Sequence, residues 1–250
     1  MVIKMSTHSN ITFGLVNIPV VMSPVIKDND TSFNQLHEKC LHRIKYVKYC
    51  PYCKKDLKEK DIIKGYEYEK NNYLVFDKSE LDRLKPENDH EIEVVSFINI
   101  DEIPPMYFEK SYFLNTTNKS KAYLLFYEAL KKSNMVALCK CIITSKFYYA
   151  ILRILEQGII MTTLYFDEEI NIEKNSIKTE VNSKELALAI KLINSMKSHF
   201  EPSKYKDEYQ DNIKKAINDK LDGKKVKRVK GRSKKQIDNL LEALEKSLKK

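Results

Sequence analysis

Apolar and polar positions alternate with period two through the first two-thirds of the chain, and a helical period replaces it in the last third. ITFGLVNIPVVMS at 11–23 is β-rich, interrupted at Gly14 and ended near Pro19 and Pro24. RIKYVKY at 43–49 alternates strictly and predicts a strand. GYEYEKNNYLVF at 65–76 predicts a hairpin turning at Asn71-Asn72, because Asn tolerates positive φ. Asp77 is placed to cap a short helix running to Leu84, with Glu80 completing a capping box and Pro86 ending it. EIEVVSFINI at 91–100 and MYFEKSYFL at 106–114 predict two more strands. KSKAYLLFYEALKK at 119–132 breaks the pattern: Ala122, Leu125, Phe126, Ala129 and Leu130 make the stripe of an amphipathic helix. Strands resume at 135–144, 146–155 and 158–166, and the acidic, Asn-rich 167–180 predicts a loop.

Beyond it, SKELALAIKLINSMKSHF at 183–200 predicts a helix with Leu186, Ile190 and Ile193 on one face and Leu188, Leu192 and Met196 beside it. A second helix is expected over 203–221, after Pro202. Residues 223–232 form a basic linker with two glycines. Ser233 and Gln236 make another capping box, and Ile237, Leu240, Leu241, Leu244 and Leu248 share one helical stripe. Such a stripe must be buried, either against its own domain or in the groove of a partner.

Composition adds limits. The chain has 250 residues, 42% of them hydrophobic, enough for the core of one large domain or two small ones. No run of apolar residues is long enough for a membrane-spanning helix, and MVIKMSTHSN lacks the apolar centre of a secretory signal. Five cysteines, two of them in a CxxC, favour a reducing compartment, so a cytoplasmic, nucleoid-associated protein is expected. The five glycines fall in no phosphate-cradling motif, which argues against nucleotide binding of those kinds.

Charge is concentrated. Residues 220–250 hold twelve Lys or Arg against four Asp or Glu, while the whole chain is only +9. Lys224, Lys225, Lys227, Arg228, Lys230, Arg232, Lys234 and Lys235 are the candidate phosphate contacts. Eight such contacts give a log–log salt slope of roughly −7 on duplex DNA, yet carry no sequence information and cannot tell an end from an internal site.

His37, Cys40, Cys50 and Cys53 are spaced H-x2-C-x9-C-x2-C. Two thiolates from the CPYC turn, with Cys40 and His37, match a four-ligand structural zinc, with His42 as a competing fourth ligand; the alternative is a surface turn with inert thiols. No other cofactor is expected. Cys139 and Cys141 share one face of a strand and are assigned to the core. No histidine lies in HExxH or beside a nucleophile elbow, and every carboxylate pair is explained by solvated strands and loops, so no catalytic residue is assigned and no enzyme is expected.

Several segments, in order, resemble the bacterial Ku family of DNA end-binding proteins in non-homologous end joining. They are ITFGLVNIPV at 11–20, SFNQLHEKC at 32–40, RIKYVKYCPYC at 43–53, KGYEYEKNNYLVF at 64–76, PMYFEKSYFL at 105–114, KAYLLFYEAL at 121–130, LYFDEEI at 164–170 and FEPSKYKDEY at 200–209. IDNLLEALEKSL at 237–248 also resembles the family's short C-terminal segment. The family's Trp and Gly before the first strand are replaced here by Thr7 and Ser9.

The resemblance implies a mixed, mainly β fold with an antiparallel β-barrel core, an inserted helix and a C-terminal helical arm. It implies a homodimeric ring through which linear double-stranded DNA ends thread regardless of sequence. It further implies recruitment of an ATP-dependent multifunctional DNA ligase, with the stripe at 237–248 as docking face. On this basis the chain divides into a core with a DNA-encircling bridge at 8–180, a helical arm at 181–222 packing on the core or the dimer partner, and the basic linker with its helix at 223–250. The competing expectation is a zinc-containing, sequence-specific DNA-binding regulator, whose recognition helix should carry base-reading Arg, Asn or Gln.

Overall fold

The computed structural model describes residues 7–84, 91–116, 120–144, 146–172 and 181–226. It divides into two compact units: one comprises 1–28 and 34–172, the other 29–33 and 173–250. Among the described residues no helix is long and apolar enough to cross a membrane.

The first unit is built on a closed seven-stranded barrel. In chain order its strands are β1 (Thr7–Phe13), β2 (Val16–Pro24), β7 (Glu91–Ile98), β8 (Phe108–Asn115), β9 (Val136–Ile143), β10 (Lys146–Leu155) and β11 (Gly158–Leu164). Around the barrel they run β1-β2-β8-β11-β10-β9-β7. The alternation noted in sequence is the barrel's inside and outside. Ile11 on β1, Ile18, Val20 and Met22 on β2, Ile92 on β7 and Leu114 on β8 point inward. So do Ala137, Cys139 and Cys141 on β9, Ala150 and Leu152 on β10, and Ile159 and Met161 on β11. Cys139 and Cys141 are core residues, and burial pushes the Cys141 thiol up to about 12.

The barrel is not wholly antiparallel. β1 and β7 pair in parallel, with Asn10, Ile11 and Thr12 opposite Glu91, Ile92 and Glu93, whereas every other neighbouring pair is antiparallel. Parity forces this, because a closed ring of seven strands cannot alternate direction all the way round. The odd junction falls where the long excursion from β2 to β7 removes the hairpin constraint.

The run at 11–23 is two strands, not one: Gly14, at φ +57, turns the chain between β1 and β2. Pro19 is tolerated because that part of β2 pairs only with β1; β8 joins from Val21 onward.

α2 (Lys121–Ser133) packs Tyr123, Phe126 and Leu130 into the barrel core, and Asn134 ends it in the left-handed conformation. The buried stripe is rotated from the one expected, since Leu125 is 73% exposed and Tyr123 takes its place. Hydrogen bonding explains the rotation. The Tyr123 hydroxyl donates to Leu114 O (2.8 Å) and accepts from Ile159 N (3.0 Å), closing the buried ends of β8 and β11. Beside it Gly158 has φ +138, and a Cβ there would stand 3.0 Å from that hydroxyl.

From the same unit residues 34–84 form an arm. It comprises hairpin β3 (Lys48–Cys50)–β4 (Lys55–Leu57), hairpin β5 (Lys64–Glu69)–β6 (Asn72–Phe76) and helix α1 (Lys78–Arg83). Asn71 takes φ +65 at the second turn, and Asp77 and Glu80 form the expected capping box. Hydrogen bonds from the Ser79 hydroxyl and the Glu80 N–H hold the Asp77 carboxyl below its usual range. The strand expected over 43–49 exists only from Lys48. Ile44, Tyr46 and Val47 are exposed, so neither face of the alternating run is covered and pairing is not rewarded.

The second unit contains α3 (Ser183–Ser195) and α4 (Glu208–Leu221). α3 stops before Met196, short of the expected residue 200, and a 3-10 turn at Pro202–Lys204 delays α4. Gln210 is buried and ties 29–33 to α4: its Nε2 donates to Asp30 Oδ1 and its Oε1 accepts from Thr31 N, both at 3.1 Å. Leu186, Ile190 and Ile193 line up along α3 as expected but are exposed, and no residue of that helix is fully buried.

Candidate nucleic-acid interface

The arm is exposed and basic. No residue of 34–84 is buried, and only Cys50, Leu57, Phe76 and Leu81 are even half-covered. Residues 39–64 carry nine Lys or Arg against three Asp or Glu. Lys48 is paired with Glu59. Among the described residues Arg43, Lys45, Lys54, Lys55, Lys58, Lys60 and Lys64 make no ion pair and stand in solvent.

Tyrosines are interleaved with these cations: Tyr46, Tyr49, Tyr52, Tyr66, Tyr68 and Tyr73 are all exposed. Long cations beside aromatic rings suit a phosphate backbone and a second protein surface better than any small-molecule cleft. Sequence reasoning named none of these arm cations as site residues. The signal was local charge density, hidden because acidic segments elsewhere cancel it in the sum.

The tail fares differently. Lys224 is engaged by Asp222 at 2.9 Å, and Lys225 is exposed. Lys227, Arg228, Lys230, Arg232, Lys234 and Lys235, and the stripe Ile237, Leu240, Leu241, Leu244 and Leu248, lie outside the described residues.

The four candidate zinc ligands form two pairs. His37 Nδ1 lies 3.1 Å from Cys40 Sγ, and Cys53 N donates to Cys50 Sγ at 3.4 Å. That N–H holds the Cys50 thiol below its usual value, while the hydrogen bond with Cys50 raises Cys53. His42 turns instead to the Cys40 carbonyl, 2.8 Å from its Nδ1. Among the described residues no three or more His, Cys, Asp or Glu side chains stand together as one metal-binding group, so the four expected ligands are not gathered around a common point.

A recognition helix is not evident: α2 exposes Lys121, Glu128, Lys131 and Lys132 rather than Arg, Asn or Gln. With this geometry in view, the comparison with known families is decisive: the family model of the Ku70/Ku80 beta-barrel domain matches residues 12–188. The chain belongs to the Ku family. The matched span takes in every barrel strand except the start of β1, together with the whole arm.

Similar proteins extend further along the chain. The non-homologous end joining protein Ku of Lachnoclostridium phytofermentans is 38% identical over 247 residues, covering 98% of this chain and 96% of the relative. That of Desulfitobacterium hafniense is 35% identical, covering 96% and 85%, and that of Bacillus subtilis is 38% identical, covering 87% and 72%.

Proposed function

We propose that the protein binds double-stranded DNA ends in non-homologous end joining, as a homodimer whose arms close a ring around the duplex. The observation that carries this reading is the arm, in a chain that belongs to the Ku family. It is regular in structure yet has no buried residue, and its cations face solvent unpaired. A segment so short of core is stabilised by something outside one chain, and both a partner arm and a phosphate backbone fit its chemistry. The exposed stripe Leu186, Ile190 and Ile193 on α3 is a second surface that a dimer would cover.

End preference then follows from topology. Backbone contacts are alike at ends and internal sites, but a closed protein loop admits duplex only where there is an end. No catalysis and no nucleotide is needed. In a mobility-shift competition, linear duplex should displace labelled linear duplex, while covalently closed circles of identical sequence compete weakly. Equal competition at physiological salt would remove the ring.

The stripe at 237–248 is the proposed docking face for an ATP-dependent DNA ligase, with the linker holding it near the DNA end. Leu241→Asp with Leu244→Asp should lower ligase stimulation while DNA affinity stays the same. Unchanged stimulation would exclude that docking face.

A further inference from the structure

We propose that the arm holds a structural zinc ion, one per chain, ligated by His37, Cys40, Cys50 and Cys53. Two turns of one design carry these residues. In each, two residues separate the donors, and a non-glycine residue in the left-handed conformation follows the second donor: Leu41 at φ +56 and Lys54 at φ +50. That conformation costs an ordinary side chain about 1–2 kcal/mol. Packing does not account for it at Leu41, which is 70% exposed.

In both turns the chain reverses so that the two donors stay side by side. Leu41 N donates to His37 O at 2.8 Å and Leu36 bridges Arg43 in the first; Cys50 pairs with Lys55 in the second. His37 Nδ1 already faces Cys40 Sγ, and the Cys53 N–H already points at Cys50 Sγ.

The second observation is the want of a core. Residues 34–84 fold into two hairpins and a helix without one buried residue, and a scaffold of that kind needs a staple. A disulfide between Cys50 and Cys53 closes too short a loop to supply it, because stabilisation grows with loop length. Only a ligand that spans both turns ties 37–40 to 50–53. Three thiolates and one imidazole are a donor set for tetrahedral zinc, and four protein ligands leave no open position for catalysis. The pairs stand separate in the structure, so metal binding must draw them together and is coupled to ordering of the arm. The site does not depend on whether the arm touches DNA.

The test uses the untagged full-length chain, purified without chelator, with zinc measured by elemental analysis and by cobalt substitution. One zinc per chain is expected, released by a thiol-modifying mercurial. Cobalt should give the thiolate charge-transfer band and the intense visible bands of a tetrahedral site. Cys40→Ser and Cys50→Ser should each lose the metal, and His42→Ala should retain it. Chelation should speed tryptic cleavage within 39–64 while the barrel fragment persists. A folded protein with no zinc and no cobalt spectrum would overturn the site. So would zinc retained by Cys40→Ser or Cys50→Ser, or half an ion per chain, which would mean a site shared between copies.

Discussion

Replacing Arg43, Lys45, Lys54, Lys55, Lys58 and Lys60 together with Gln is expected to weaken duplex binding for every sequence alike and to flatten its salt dependence. If all six contact phosphates, the log–log slope falls by about 5 per protomer. A protein making that many contacts loses roughly a thousandfold in affinity between 50 and 200 mM salt, so the difference is largest at low salt and narrows as salt rises. The side chains are exposed and make no ion pair among the described residues, so thermal stability should hardly change. Fluorescence anisotropy with a short linear duplex across a salt series reads both affinity and slope. An unchanged slope would mean that the phosphates are met elsewhere, with the tail at 224–235 as the obvious candidate.

Tyr123→Phe should cost the barrel about 2–4 kcal/mol, out of proportion to one oxygen atom. The hydroxyl serves two backbone groups at once, accepting from Ile159 N and donating to Leu114 O, and both bonds are buried. Removing it leaves a buried donor and a buried acceptor without partners, where each costs about 1–3 kcal/mol. Gly158 leaves little room for a substitute group, and water would have to enter a site already closed by α2. Urea denaturation of the variant reads the loss. A change below about 0.5 kcal/mol, the usual range for surface substitutions, would show that Tyr123 does not close the barrel end.

The barrel strands were legible because a barrel wall has a wet side and a dry side, so alternation at Ile18, Val20 and Met22 or at Cys139 and Cys141 maps directly onto burial. The parallel junction of β1 with β7 was not legible, because it follows from the number of strands and not from any local pattern. Residues 43–49 show the opposite failure. Their alternation is as clean as that of any barrel strand, but Ile44, Tyr46 and Val47 meet no covering surface. Periodicity reports what a segment is able to bury, not whether anything arrives to bury it.

The same limit governs the candidate site. Charge density drew attention to the tail, where eight cations stand close together, while the arm's cations alternate with tyrosines and short acidic residues and so escape notice. The spacing of His37, Cys40, Cys50 and Cys53 was readable as ligand chemistry. The left-handed residues that shape both turns, Leu41 and Lys54, were not, since neither is the glycine or asparagine that signals such a conformation.

Threading of the duplex is tested most directly by trapping. The protein is loaded onto linear duplex, both ends are then blocked by bulky caps, and the complex is challenged with high salt and excess linear competitor. A closed ring predicts that protein loaded before capping stays on the DNA long after the salt challenge, whereas protein added after capping never loads. Equal loss from capped and uncapped duplex, or equal loading before and after capping, would contradict end selection by a ring.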